Sequence, residues 1–239
     1  MGFLKRLWES VKFLLQMRTG LGRKPEALSE AGEAAAAVFL PLAGVIIGFA
    51  AAIVAVVFQS FGFHNVYVVL GLAVLALLGG VRQFASSAKL IGGNGFSAGS
   101  AFAAALIVLF EATALIDIGS MRGTGTACNT LLYLPVPGVL AMLSAASAMG
   151  EPDERLPLSG VKALHLVLGS LLAFVLMLPQ YGMLSLLLVA VAVLSGAVMA
   201  LLAGKKQYRA EALYAAALVS ELLFLVIMLL TAKSNIIYY

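Results

Sequence analysis

Residues 36–58 read AAVFLPLAGVIIGFAAAIVAVVF, 23 residues in a row without a charge. A helix of about 20 apolar residues spans the roughly 30 Å hydrocarbon core of a bilayer. A surface helix of a soluble protein keeps a polar face, and this run has none. The stretch is therefore read as a membrane span. Its proline, Pro41, falls near the start, where a missing backbone N–H is cheapest. The rest of the chain repeats the pattern. Of 239 residues, 62% are apolar and 11% charged, with a mean hydropathy of +1.06. Soluble domains run at about 45–50% apolar and about 25% charged. A soluble globular protein is excluded on that ground, and a disordered chain on its hydrophobicity.

Six further apolar segments follow: Val66–Val81, Ala101–Ile118, Leu131–Met149, Val161–Leu178, Met183–Ala203 and Ala212–Thr231. The expected fold is an all-α, polytopic membrane bundle of about seven spans, occupying residues 36–239. The second segment is short, with a continuation through Gln83–Ala88 in prospect. Residues 119–130 read as a loop carrying Thr124, Thr126 and Cys128, and Pro179-Gln180-Tyr181-Gly182 as a tight link. Alanine runs such as Ala50-Ala51-Ala52 and Ala215-Ala216-Ala217 read as close helix packing.

Residues 1–35 form a separate segment. Phe3, Leu4, Leu7, Trp8, Val11, Leu14 and Leu15 recur at helical spacing, with Lys5, Arg6 and Lys12 among them. That is an amphipathic helix in the membrane interface with Trp8 at headgroup level, or a helix packed on one end of the bundle. The charges rule out an uninterrupted signal-peptide core. Thirteen of the 15 Lys and Arg fall in the N-terminal segment and alternate loops after it. Basic residues stay cytoplasmic, so the expected location is the cell membrane, with the N-terminus inside. The lipid bilayer is the first partner, no nucleic acid is expected, and an oligomer is compatible with the sequence.

Acids inside a span are costly and default to functional candidates. Glu221 is mid-span in the last segment, and Glu211 begins it. Ten residues apart, they lie about 15 Å apart along a helix, too far to share one small ion. Glu211 also fits a plain helix-dipole role. Glu111 reads as a neutral, hydrogen-bonded acid. The glycine-rich stretch from Ile91 to Ser100 offers Gly92, Gly93, Asn94 and Ser97 as backbone donors for phosphate. It fits neither the Walker loop nor the dinucleotide fingerprint, and a flexible link is the simpler reading. His64 and His165 fall on opposite sides in this topology. The single cysteine, Cys128, excludes an intramolecular disulfide.

Several segments together resemble the cobalamin synthase family, the adenosylcobinamide-GDP ribazoletransferases. Residues Lys12–Arg18 (KFLLQMR) are similar to the family opening QFLTRLP, without its proline. Residues Phe39–Gly48 (FLPLAGVIIG) resemble the family's FPLVGLLIG, the most telling match. Gly79-Gly80 stand where the family's signature GGLHLDGLADTADG begins. Pro137-Gly138 and Ala141-Met142 fall near a GRWAM segment, with Val139 at the arginine. Residues Glu211–Leu223 are similar to GDVLGALVELSELLF, and Ser220-Glu221-Leu222-Leu223 are retained.

The resemblance implies a membrane enzyme joining adenosylcobinamide-GDP to α-ribazole, or its 5′-phosphate, with release of GMP. It implies Mg²⁺ held by aspartates at the cytoplasmic face, a corrinoid substrate, and other cobamide-assembly proteins as partners. The signature departs where that chemistry sits. A gapless overlay from Gly79 puts Arg82 on the histidine and Phe84, Ala88 and Ile91 on the three aspartates. Ala98 falls on the arginine of the following KDSRIGAFG segment, which is shortened here. Mg²⁺ needs hard oxygen ligands, and these side chains have none. Two readings follow. One is an active transferase rebuilt around Glu211, Glu221 and Arg82. The other, which the missing ligands favour, is an inactive member that binds a corrinoid or scaffolds other proteins. An unrelated transporter is the weakest reading, because the chain has few membrane charges and no transporter-type repeat.

Overall fold

The computed structural model describes residues 3–19, 36–63, 66–80, 83, 86, 98–149, 158, 160–203 and 209–234. Among these there is no strand, and the chain is an all-α polytopic membrane bundle. Its helices are α1 (Phe3–Thr19), α2 (Leu40–Ser60), α3 (Val66–Leu75), α4 (Ala98–Arg122), α5 (Thr124–Tyr133), α6 (Pro135–Met149), α7 (Ala163–Tyr181), α8 (Leu184–Leu202) and α9 (Arg209–Lys233). A π-helical turn, Ala76–Gly80, continues α3. Among the described residues, six helical segments are long and apolar enough to cross a membrane, with α5 and α6 counting together as one. A seventh, Val66–Leu78, is shorter. At 1.5 Å per residue it reaches about 20 Å, less than a full bilayer core.

Helix α6 is the centre. Every residue from Pro135 to Ala146 is buried, and α2, α7, α8 and α9 pack around it. A helix apolar all round belongs inside. Its prolines, Pro135 and Pro137, stand in the first turn, where their missing N–H groups lose no helical bond. Pro135 also explains why α5 stops at Tyr133 and the chain turns at Leu134.

Lipid is as apolar as leucine, so helices meet through small residues that let backbones approach. Helix α2 turns Ala43, Gly44, Ile47, Gly48, Ala51 and Ala55 inward. It leaves Phe49, Ile53, Val56 and Val57 exposed to the surroundings. A side chain at Gly48 would collide with the backbone carbonyls of Leu131 and Leu132, and one at Gly196 of α8 with the Ala141 carbonyl of α6.

Two expected loops are replaced by helix. Residues 119–130 are not a loop: α4 runs to Arg122, and α5 begins at Thr124 after the single residue Gly123, whose φ is +90°. Only a glycine takes that backbone conformation without strain. Thr124, Thr126 and Cys128 are therefore helical, and Cys128 is buried. The tight link is also shorter than expected. Helix α7 continues through Pro179 to Tyr181, leaving a turn at Gly182-Met183.

The Arg122 guanidinium ties two helix ends together. Its Nε donates to the Ala232 carbonyl at 3.2 Å and its Nη2 to the Thr231 carbonyl at 3.3 Å. Carbonyls at a helix C-terminus lack intrahelical donors and carry partial negative charge, so a cation there is stabilising. Helices α4 and α9 thus end on the same side of the bundle, as two odd-numbered spans should. Arg122→Ala is expected to cost about 1.5–3 kcal/mol, the range for hydrogen bonds to a charged group. A thermal melt in detergent, compared with Arg122→Lys as the partial replacement, measures it.

Candidate functional site

Two segments far apart in sequence meet at the middle of the bundle. Ser220 of α9 donates to the Pro137 carbonyl of α6 at 3.0 Å. Its neighbour Glu221, only 6% exposed, lies against Gly138. The arrangement follows from the residues. The Pro137 carbonyl oxygen has a second lone pair for an outside hydroxyl besides its place in the helix, and Gly138 has no side chain to displace the carboxyl. Facing the interior removes the cost of a charge-bearing group against lipid. About two turns further along α6, Ser144 donates to the Val193 carbonyl at 2.6 Å, beside Gly196.

Glu111 of α4 is equally buried, at 6% exposure. Helices α4 and α9 touch and run in the same direction to the Arg122–Ala232 contact. Glu111 stands 11 residues before Arg122, and Glu221 stands 11 before Ala232. Both carboxyls therefore lie about 16 Å below that contact, at one depth. Eleven residues also bring a helix back to nearly the same azimuth, so Glu111 shares the face of α4 that Arg122 uses. From Ala101 to Phe110 no side chain of α4 is buried, and burial begins at Glu111.

Glu211 is placed apart from this centre. It occupies the first turn of α9, half-buried, where a carboxylate complements the helix dipole. The structure therefore does not bring Glu211 and Glu221 together. Arg82, Gly92, Gly93, Asn94 and Ser97 lie outside the described residues, as do Phe84, Ala88 and Ile91. Gln83, next to Arg82, is described and buried, and its Nε2 has no hydrogen-bond partner among the described residues. His165 has a structural role: its Nδ1 accepts from the Lys162 backbone N–H at 2.9 Å and so ties the start of α7 to the residue before it. His64 lies outside the described residues.

A second polar group gathers at the Arg122 end. Gln59 of α2 donates through Nε2 to Thr124 Oγ1, and its Oε1 is 4.0 Å from the Cys128 sulfur. The Tyr181 hydroxyl donates to the Asn129 carbonyl at 3.4 Å. Its ring packs edge-on against Tyr133 and Phe224, at 5.5 and 5.9 Å between centroids. The sequence signal for Gln59 was available, since it is the first polar side chain after the 23-residue apolar run. Ser144 and Tyr181 carried no such signal.

No family model, curated protein or solved structure matches this chain. Its chemistry must therefore be read from its own side chains. Among the described residues, no three His, Cys, Asp or Glu come together as a metal cage would require. Glu111, Glu211 and Glu221 are distributed over two helices and two depths. So spread, these three carboxyls do not form an octahedral oxygen site of the kind Mg²⁺ takes.

Proposed function

We propose that this chain is a cobalamin-synthase-like membrane protein of cobamide nucleotide-loop assembly that has lost the magnesium-dependent transfer and serves as a corrinoid-binding or scaffolding component. The observation that carries the reading is the convergence on α6. Three segments quoted for the resemblance, Phe39–Gly48, Pro137–Met142 and Ser220–Leu223, are neighbours through it. Gly44 lies beside Pro135 and Val136, and Ser220 bonds to Pro137. Segments scattered over the sequence that meet in one packed centre are what a shared bundle would preserve.

Loss of the transfer rests on donor chemistry. At the positions where the family's metal-binding aspartates fall, Phe84, Ala88 and Ile91 supply no oxygen, and Ala98 stands for the arginine. A phosphoryl group in transfer needs its developing charge neutralised, and electrostatic stabilisation is often the largest catalytic contribution. The purified protein, given Mg²⁺, adenosylcobinamide-GDP and α-ribazole or its 5′-phosphate, is expected to release no GMP above background. Restoring aspartates at all three positions is expected to leave it inactive, because Ala98 replaces the arginine and the charged helix is shortened. GMP release by the unmodified protein, abolished by EDTA, would establish the active reading instead. Equilibrium dialysis against adenosylcobinamide tests corrinoid binding separately.

The same reading places the protein in the cell membrane with its N-terminus in the cytoplasm, on the distribution of Lys and Arg. Reporter fusions after Gly150 and after Tyr239 should report inside and outside, respectively. The same side for both would overturn the seven-span topology.

A further inference from the structure

Among the described residues, helix α1 is held on the bundle through one side. Ser10 Oγ lies 2.8 Å from the Ala36 carbonyl, and Val11, Phe13 and Leu14 are buried with it. The helix rests on the start of α2 and on the π turn Ala76–Gly80. This differs from the apolar stripe that the spacing suggests. Leu4 and Trp8, expected on the same face as Val11 and Leu14, point away and are 77% and 58% exposed. Lys5 and Lys12 are exposed beside them, and the Lys12 ammonium stands 5.3 Å from the Trp8 ring centroid. At 100° per residue, Leu4, Trp8, Lys12 and Lys5 fall within one arc of about 100°. Glu9, the one acid of α1, lies outside this arc and is half-buried.

We propose that this arc is a binding surface for anionic lipid headgroups at the membrane edge. Leu4 and the Trp8 ring enter the boundary between acyl chains and headgroups, while Lys5 and Lys12 meet lipid phosphate. Three observations choose lipid as the occupant. The arc pairs an apolar body with basic tips, the chemistry of an in-plane interfacial helix. It lies at the end of the bundle where α2 starts, the level at which a span leaves the hydrocarbon core. Its charge is uniformly positive, complementary to an anionic leaflet. The proposal rests on the membrane fold alone and stands or falls independently of any corrinoid activity.

Trp8 is the only tryptophan in the chain, so intrinsic fluorescence of the full-length protein reports on this arc. The protein is reconstituted in vesicles of phosphatidylcholine and phosphatidylglycerol mixed equally, with bromine carried by one lipid or the other. Trp8 emission should be blue-shifted and poorly quenched by acrylamide. It should be quenched more by lipids brominated near the headgroup than near the chain ends. Brominated phosphatidylglycerol should quench more than brominated phosphatidylcholine. The ceiling is about fivefold enrichment per lysine, from the attraction of one basic residue to an anionic leaflet. A Lys5→Gln/Lys12→Gln double variant should make the two lipids quench equally while leaving the blue shift in place. Free quenching by acrylamide with none by brominated lipid would overturn the surface as lipid-facing. Equal quenching by both brominated lipids in the unmodified protein would overturn the anionic preference.

Discussion

Gly48→Leu is expected to abolish recovery of folded protein from detergent extracts. The obstacle at this position is backbone. Helix α2 approaches α5 so closely that even a Cβ at residue 48 would sit inside the van der Waals shell of the Leu131 and Leu132 carbonyls. Side chains relax by changing rotamer, whereas a helix backbone moves only as a whole. An alanine here should already cost about 1–3 kcal/mol, the range for overpacking, and three more carbons cannot be accommodated without separating the helices. Gly125 is the control. It is exposed in α5 with nothing near its missing side chain, so Gly125→Ala should be neutral or stabilise by about 0.5–1 kcal/mol through helix propensity. Size-exclusion chromatography and a thermal melt compare them. A Gly48→Leu protein with an unchanged profile would mean that α2 and α5 do not pack this closely.

Glu221 should discriminate sharply among its replacements. Glutamine keeps the shape and the hydrogen-bonding capacity and is expected to cost under about 1 kcal/mol. Leucine removes that capacity from a buried position and should cost about 1–3 kcal/mol by leaving polar neighbours unsatisfied. Lysine puts a cation beside Gly138 in the interior, which should cost about 3–5 kcal/mol and prevent accumulation in the membrane. Glu111 lies at the same depth on a touching helix. The double variant Glu111→Gln/Glu221→Gln should therefore depart from additivity by more than about 0.5 kcal/mol. Strict additivity would place the two carboxyls in separate environments.

The spans were legible in the sequence because each is a physical requirement written in composition: an uncharged run long enough for a bilayer. The apolar run that begins at Ala36 and the helix Leu40–Ser60 describe one object with ends shifted by two to four residues. Helix ends were less legible, since polar residues such as Thr124 and Asn129 suggest a loop to composition but sit comfortably in a helix at the bundle's edge. Which apolar helix is central was not legible either. All the spans look alike in hydropathy, and only the small residues and prolines of α6 hint that it is enclosed by others. The outward turn of Leu4 and Trp8 was hidden because periodicity finds an apolar face without saying what covers it. Of the candidate site, Glu221 was legible as a lone acid in an apolar run. Its partner segment at Pro137-Gly138 was not, because that contact spans 83 residues of chain.

That separation bears on how the protein is made. Helix α6 leaves the ribosome before α8 and α9, the two helices that supply much of its enclosure. Until they arrive, the small-residue faces of α6 and the Pro137 carbonyl meet lipid or a chaperone, and the newly inserted half-bundle has no finished interior. Assembly must therefore be completed after insertion, as independently inserted helices dock side by side. A chain stalled or cut before Arg209 would lack Ser220 and Glu221 and keep its central helix open. It would be a substrate for the membrane proteases that survey unassembled helices, so the cellular abundance of this protein should depend on how promptly its final described helix is delivered.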